Sequence, residues 1–136
     1  MAEVTASRTE ANLQFAFAVE TLASRYYEAC AARAEAEGQP RAAAVFRTIA
    51  QRKAAIAQGH LDQLEPPDTG RAMQRTVDNL QAAIAGELHE HAEVFPAMSR
   101  EARKDGLDEI ALWFETLARA GRSHAGRLRQ ALDHLR

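Results

Sequence analysis

The stretch that decides the fold is "VDNLQAAIAGELHEH", residues 77–91, because much of it also occurs earlier, in "EANLQFAFAVETLAS" over residues 10–24. The shared core, Asn-Leu-Gln-x-Ala-x-Ala-x-Glu, occupies residues 12–20 and again 79–87. In both copies apolar residues recur at three- and four-residue spacing, the signature of an amphipathic helix. In both copies the closing acid, Glu20 or Glu87, falls on the apolar face, where a leucine would be ordinary. A carboxylate so placed is costly unless a cation or hydrogen bonds compensate it.

The repetition extends outward from these two segments. Glu20 matches Glu87 at an offset of 67. After the turn that follows, Gly38 matches Gly106, Phe46 matches Phe114 and Leu64 matches Leu132 at an offset of 68. "VFRTIA" likewise parallels "WFETLA". Two copies of so long a unit argue for a duplicated helical hairpin rather than a solenoid. Four helices are predicted. The first runs from about 7 to 37 and is stopped by Gly38. The second starts at Pro40, a favourable first-turn residue, and ends before Pro66-Pro67. The third begins between 69 and 78 and ends near Gly106, with Pro96 kinking it. The fourth spans about 107–135. Short turns pair them into hairpins over about 7–65 and 71–135, and together they read as one domain over 1–136, an all-α four-helix bundle.

Composition agrees and narrows the function. The chain has 136 residues, enough for a real core. Alanine, glutamate, arginine, leucine and glutamine dominate, which favours helix. A net charge of −2 gives no basic footprint for nucleic acid or an anionic membrane. The one cysteine, Cys30, excludes an intrachain disulfide, a Cys-x-x-Cys metal knuckle and a rubredoxin-type iron centre. The opening "MAEVTASRTE" lacks the apolar region of a signal peptide, and no apolar run is long enough to span a membrane. The expected compartment is the reduced cytoplasm.

The apolar stripes can be followed at heptad-like spacing. They are Leu13, Phe17, Glu20, Ser24, Tyr27, Ala31; then Phe46, Ile49, Lys53, Ile56, His60, Leu64; then Leu80, Ile84, Glu87, Glu90, Val94; and Ile110, Phe114, Leu117, Gly121, His124, Leu128. Glu20, Lys53, Glu87, Glu90 and His124 are thus predicted to point toward one level of the bundle interior. Carboxylates sharing a level repel one another unless cations sit among them. In helix bundles those cations are commonly metals. The di-iron pattern is one Glu from each of two helices and Glu-x-x-His from each of the other two.

On these residues the chain resembles the erythrin domain of rubrerythrins, within the ferritin-like superfamily. The resemblance covers roughly residues 10–135. It is carried by "NLQFAFAVE" with Tyr27 beyond it, by "NLQAAIAGELHE" and "VFPAM", and by "FRTIAQRKAAI" and "FETLARAGRSH". It implies a ferritin-like bundle and a di-iron, peroxide-reducing oxidoreductase with metals held between the helices. It implies terminal carboxylates at Glu20 and Glu87, an extra carboxylate at Glu90, a histidine ligand at His124, and Tyr27 as a catalytic residue, with Phe95 at the second tyrosine position. The resemblance also implies two Glu-x-x-His motifs where this chain reads Lys53-Ala54-Ala55-Ile56 and Gly121-Arg122-Ser123-His124. Both bridging carboxylates and one histidine are therefore expected to be substituted, and a two-iron centre is not expected.

Two outcomes stay open at this point. Glu20, Glu87, Glu90 and His124 offer enough oxygen and nitrogen donors for a single Fe, Mn or Zn ion. That would make an oxidoreductase dependent on an external electron donor. Alternatively, the Lys53 ammonium takes a metal's electrostatic role, pairing with Glu20 or Glu90, and the bundle is a metal-free binding or structural protein. Gly121 is expected to leave room for water or a small ligand. His91, four residues after Glu87, is an alternative ligand. The blander readings are a solvated Glu87–Glu90 face and a purely structural His124.

The connection between hairpins bears on assembly. In a ferritin-like arrangement the second and third helices run parallel, so the chain must return about 33 Å along the bundle. The segment from Pro66 to Arg75 reaches only about 33–36 Å fully extended. A homodimer that exchanges hairpins is therefore expected.

Overall fold

A computed structural model of the protein describes residues 7–64 and 76–135. The segment behind the reach argument, Pro66 to Arg75, lies outside the described residues. All regular structure among the described residues is helical. Helices α1 (Arg8–Ala36) and α2 (Pro40–Leu64) make one hairpin. Helix α3 (Thr76–His89), a π-helical turn (Glu90–Val94), α4 (Phe95–Lys104) and α5 (Asp108–His134) make the other. The two hairpins are separate compact units.

Local chemistry sets the ends of these helices. Ser7 accepts the Glu10 backbone N–H at 3.1 Å, an N-cap within a Ser-x-x-Glu sequence. Each hairpin then turns on a glycine in the left-handed region, Gly38 at φ 72° and Gly106 at φ 76°. A side chain there would be strained. The left-handed residue lets Gln39 N–H reach the Ala34 carbonyl and Leu107 N–H the Ala102 carbonyl, both at 2.8 Å. Gly38 and Gly106 N–H bond Glu35 and Arg103 carbonyls at 3.0 Å, completing a Schellman motif in each hairpin.

The seam inside each hairpin differs from the predicted stripes. Helix α2 buries Ala43, Ala50 and Ala57, and α5 buries Ala111, Ala118, Ala125 and Leu132, each series spaced by seven. Facing them are Ser24, Ala31 and Ala34 in the first hairpin, and Ile84, Ser99 and Ala102 in the second. Ile49, Ile56 and Ile110, expected in the core, are exposed. Small side chains let two antiparallel helices approach closely, so the tightest line of contact selects alanine and moves branched residues to its flanks.

The duplication is also visible in individual contacts. In the first hairpin Ser24 donates its hydroxyl to the Ala50 carbonyl at 2.8 Å; in the second His91 donates from Nδ1 to the Ala118 carbonyl at 2.7 Å. The Tyr27 ring lies 5.9 Å from Phe46, and the Phe95 ring 6.2 Å from Phe114. Ser24 and His91 correspond at the shorter offset, Tyr27 and Phe95 at the longer. The extra residue therefore lies in the π-turn between them and not after the hairpin turn. There Phe95 N–H bonds the Glu90 carbonyl five residues back, which is how one residue is inserted without breaking the helix. The expected kink at Pro96 becomes this π-turn. Pro96 itself sits in the first turn of α4, directly after the π-turn.

One correspondence reverses its charges. Arg47 holds Glu35 at 2.7 Å in the first hairpin, and Arg103 holds Glu115 at 2.7 Å in the second. The hydrogen bond from Arg47 holds the Glu35 carboxyl below its ordinary 4.5, with charge attraction adding to it. The hydrogen bond from Arg103, then one from Ser99, lowers that of Glu115. A carboxyl with a lowered native pKa adds stability above its unfolded pKa and loses it as pH falls through the native value. Thermal stability is therefore expected to decline on acidification below about pH 4.5. In a Glu35→Gln/Glu115→Gln variant, melting curves from pH 6 to 2.5 should show a shallower decline.

Candidate functional site

In the first hairpin, α1 carries Glu20 and α2 carries Lys53. The Lys53 ammonium lies 3.0 Å from Glu20 Oε2 and 3.4 Å from Oε1. Their side chains are 31% and 18% exposed, so the pair is mostly withdrawn from water. Of the two partners expected for Lys53, the structure gives it Glu20. Glu20 Oε2 has the ammonium beside it but no aligned hydrogen bond, which leaves acceptor capacity unused on a buried oxygen. Ile56, one turn beyond Lys53, is exposed. Tyr27, two turns beyond Glu20, is half-buried and stacks obliquely on Phe46.

In the second hairpin, α3 carries Glu87 and α5 carries His124. Glu87 Oε2 and His124 Nδ1 are 3.3 Å apart, with the carboxylate 28% exposed and the imidazole 58%. The same stripe position thus holds an acid in both hairpins, but the partner lies one turn further along in the second. Glu90 is half-buried and opens the π-turn. His91 is committed through Nδ1 to the Ala118 carbonyl, a contact that sequence reasoning placed only beside the stripe. Among the described residues no three His, Cys, Asp or Glu side chains gather closely enough to hold a metal ion.

Gly121 corrects an expectation. It is buried, and a Cβ there would lie 2.9 Å from the Glu87 carbonyl oxygen, 3.4 Å from His91 Cβ and 3.5 Å from Glu87 Oε2. The space expected for water or a small ligand is taken by α3 itself. The glycine permits close approach of the two helices.

Two duplicated hairpins in an all-α chain, each with a carboxylate where its core stripe calls for an apolar residue, place the protein in the ferritin-like class. The chain belongs to the rubrerythrin family, whose family model, Rubrerythrin, matches residues 11–132. It is similar to a rubrerythrin of Porphyromonas gingivalis, 31% identical over 136 residues, covering 95% of this chain and 68% of that protein. It is similar also to a rubrerythrin of Nitratidesulfovibrio vulgaris, 32% identical over 134 residues, with 93% and 70% covered. Nigerythrin from the same organism matches a shorter segment, 42% identical over 59 residues, or 43% of this chain and 29% of that one. No helix among the described residues is long and apolar enough to cross a membrane.

Proposed function

We propose that this is a rubrerythrin-family protein that has given up the two-iron centre and binds at most one metal ion. In this reading Lys53 and Gly121 stand at the two bridging-carboxylate positions and Ile56 at a lost histidine. The ion pair between Lys53 and Glu20 is the observation that carries it. An ammonium 3.0 Å from the carboxylate supplies the positive charge that a metal would otherwise supply. Gly121 supports the same reading, because the Glu87 carbonyl fills the place of any side chain there. The residues present therefore do not fit two irons. One carboxylate in the first hairpin is already neutralised, and of Glu87, Glu90 and His124 in the second only Glu87 and His124 meet, so these donors serve one Fe, Mn or Zn ion at most. A redox-active ion held there would serve peroxide reduction with electrons from an external donor, and Tyr27 is the candidate catalytic side chain. The protein would act in the cytoplasm as a homodimer with exchanged hairpins.

A second reading is favoured by the contact between Glu87 and His124. These groups meet directly at 3.3 Å, so the carboxylate has a partner without any metal. The protein would then be a metal-free bundle with a binding or structural role. Metal analysis of protein purified from cells supplied with iron, manganese and zinc separates the readings. At most one equivalent per chain is expected, with no di-iron absorption. Two irons per chain would refute the proposal. No metal, with melting unchanged in chelator, would select the second reading.

A further inference from the structure

The second hairpin carries a basic groove that, of the ligand candidates discussed above, takes in His91 alone. Arg119, Arg122, Ser123, Gly126, Arg127 and Gln130 recur at three- and four-residue spacing, so they share one side of α5. With His91 of the π-turn they line a groove of about 600 Å³. Three guanidiniums, a hydroxyl and a carboxamide thus converge with no carboxylate among the lining residues, on a chain whose net charge is −2. Arg119 also donates to the Thr116 hydroxyl at 3.3 Å. Arg122 and Arg127 form no ion pair among the described residues.

The duplication provides an internal control. The corresponding residues of α2 are Gln51, Ala54, Ala55, Gln58, Gly59 and Asp62, and Ser24 corresponds to His91. None of these is a permanent cation, and Gln58 bonds Asp62 at 2.8 Å along the helix. The hairpin therefore folds without a basic strip, and the strip is peculiar to the second copy. Gly126 keeps the middle of the groove open, since a Cβ built there meets nothing within 4 Å. Guanidinium forks match phosphate oxygens two at a time, which is the geometry that distinguishes arginine from lysine at anion sites.

We propose that this groove binds a phosphorylated small molecule, with Arg122 and Arg127 holding the phosphate and Arg119, Ser123 and Gln130 beside them. The probe is pyrophosphate, titrated calorimetrically into the full chain at low ionic strength, where screening is weakest. Saturable binding at one site per chain is expected, weakened at least about tenfold in Arg122→Gln/Arg127→Gln, a loss of about 1.4 kcal/mol. Arg129→Gln, elsewhere on α5, should bind as the wild type does. Gly126→Leu keeps every charge and fills the groove, so it should weaken binding too. It also serves as the test if the double variant fails to fold by circular dichroism. The proposal is overturned if pyrophosphate does not saturate, if Gly126→Leu binds undiminished, or if Arg129→Gln loses as much as the double variant. It is equally overturned if the chain binds phosphatidic acid vesicles but not pyrophosphate.

Discussion

Gly121→Ala is expected to destabilise the protein by about 1–3 kcal/mol, the cost of forcing an extra carbon into a packed interface. The added Cβ would meet the Glu87 carbonyl oxygen at 2.9 Å, and that atom belongs to the backbone of α3 and cannot rotate away. Gly126→Ala, five residues further along the same helix, should instead stabilise by roughly 0.5–1 kcal/mol, because its Cβ meets nothing and alanine is the better helix former. In a chain of this size each kcal/mol moves the melting temperature by roughly 3–5 °C. Calorimetric melting of the two variants should therefore bracket the wild type. Equal shifts in the same direction would mean that α5 does not approach α3 as described. Gly121→Glu should fare worse than alanine, because a longer side chain at this position has to displace α3 first.

Lys53→Glu is expected to lower stability by about 1–2 kcal/mol at low salt, since it replaces an attraction with two carboxylates on neighbouring helices. The more telling result is its reversal by metal. A divalent ion bound between the two acids stabilises the fold by about 2.7 kcal/mol when present at one hundred times its dissociation constant. Melting of Lys53→Glu should rise on adding manganese by clearly more than that of the wild type, whose Glu20 is already paired, since any ion held in the second hairpin adds equally to both. A wild-type response as large as the variant's would show that the ammonium does not stand in a cation's place.

Much of this was legible in the sequence. The repeated Asn-Leu-Gln…Glu segments, with Gly38 and Gly106, yield the helices and the turns that join them, because periodicity and left-handed glycine are strong local signals. The pairing of Lys53 with a stripe carboxylate was also legible, since an inward lysine needs an acid and few were on offer. The π-turn was half-legible. The offset changes between the repeats, but sequence alone does not say where, and only the contacts of His91 and Phe95 locate the extra residue before Pro96. The alanine seam inside each hairpin was not read from the sequence, because hydrophobic weight favours isoleucine, whereas helix approach is limited by side-chain size. Gly121 was misread for the related reason that a missing side chain looks like space until the neighbouring backbone is seen to occupy it.

The reversed ion pairs have a consequence for how a duplicated chain finds its own fold. Two hairpins with matching seams invite mispairing, in which α1 docks on α5 as readily as on α2. Such a swap would set Glu35 against Glu115, and its counterpart would set Arg103 against Arg47. Each wrong partnership brings like charges together, and each right one closes a bidentate-capable pair at 2.7 Å. The inversion works as a polarity key: it adds little to the finished structure, but it penalises shuffled assembly of two nearly interchangeable halves.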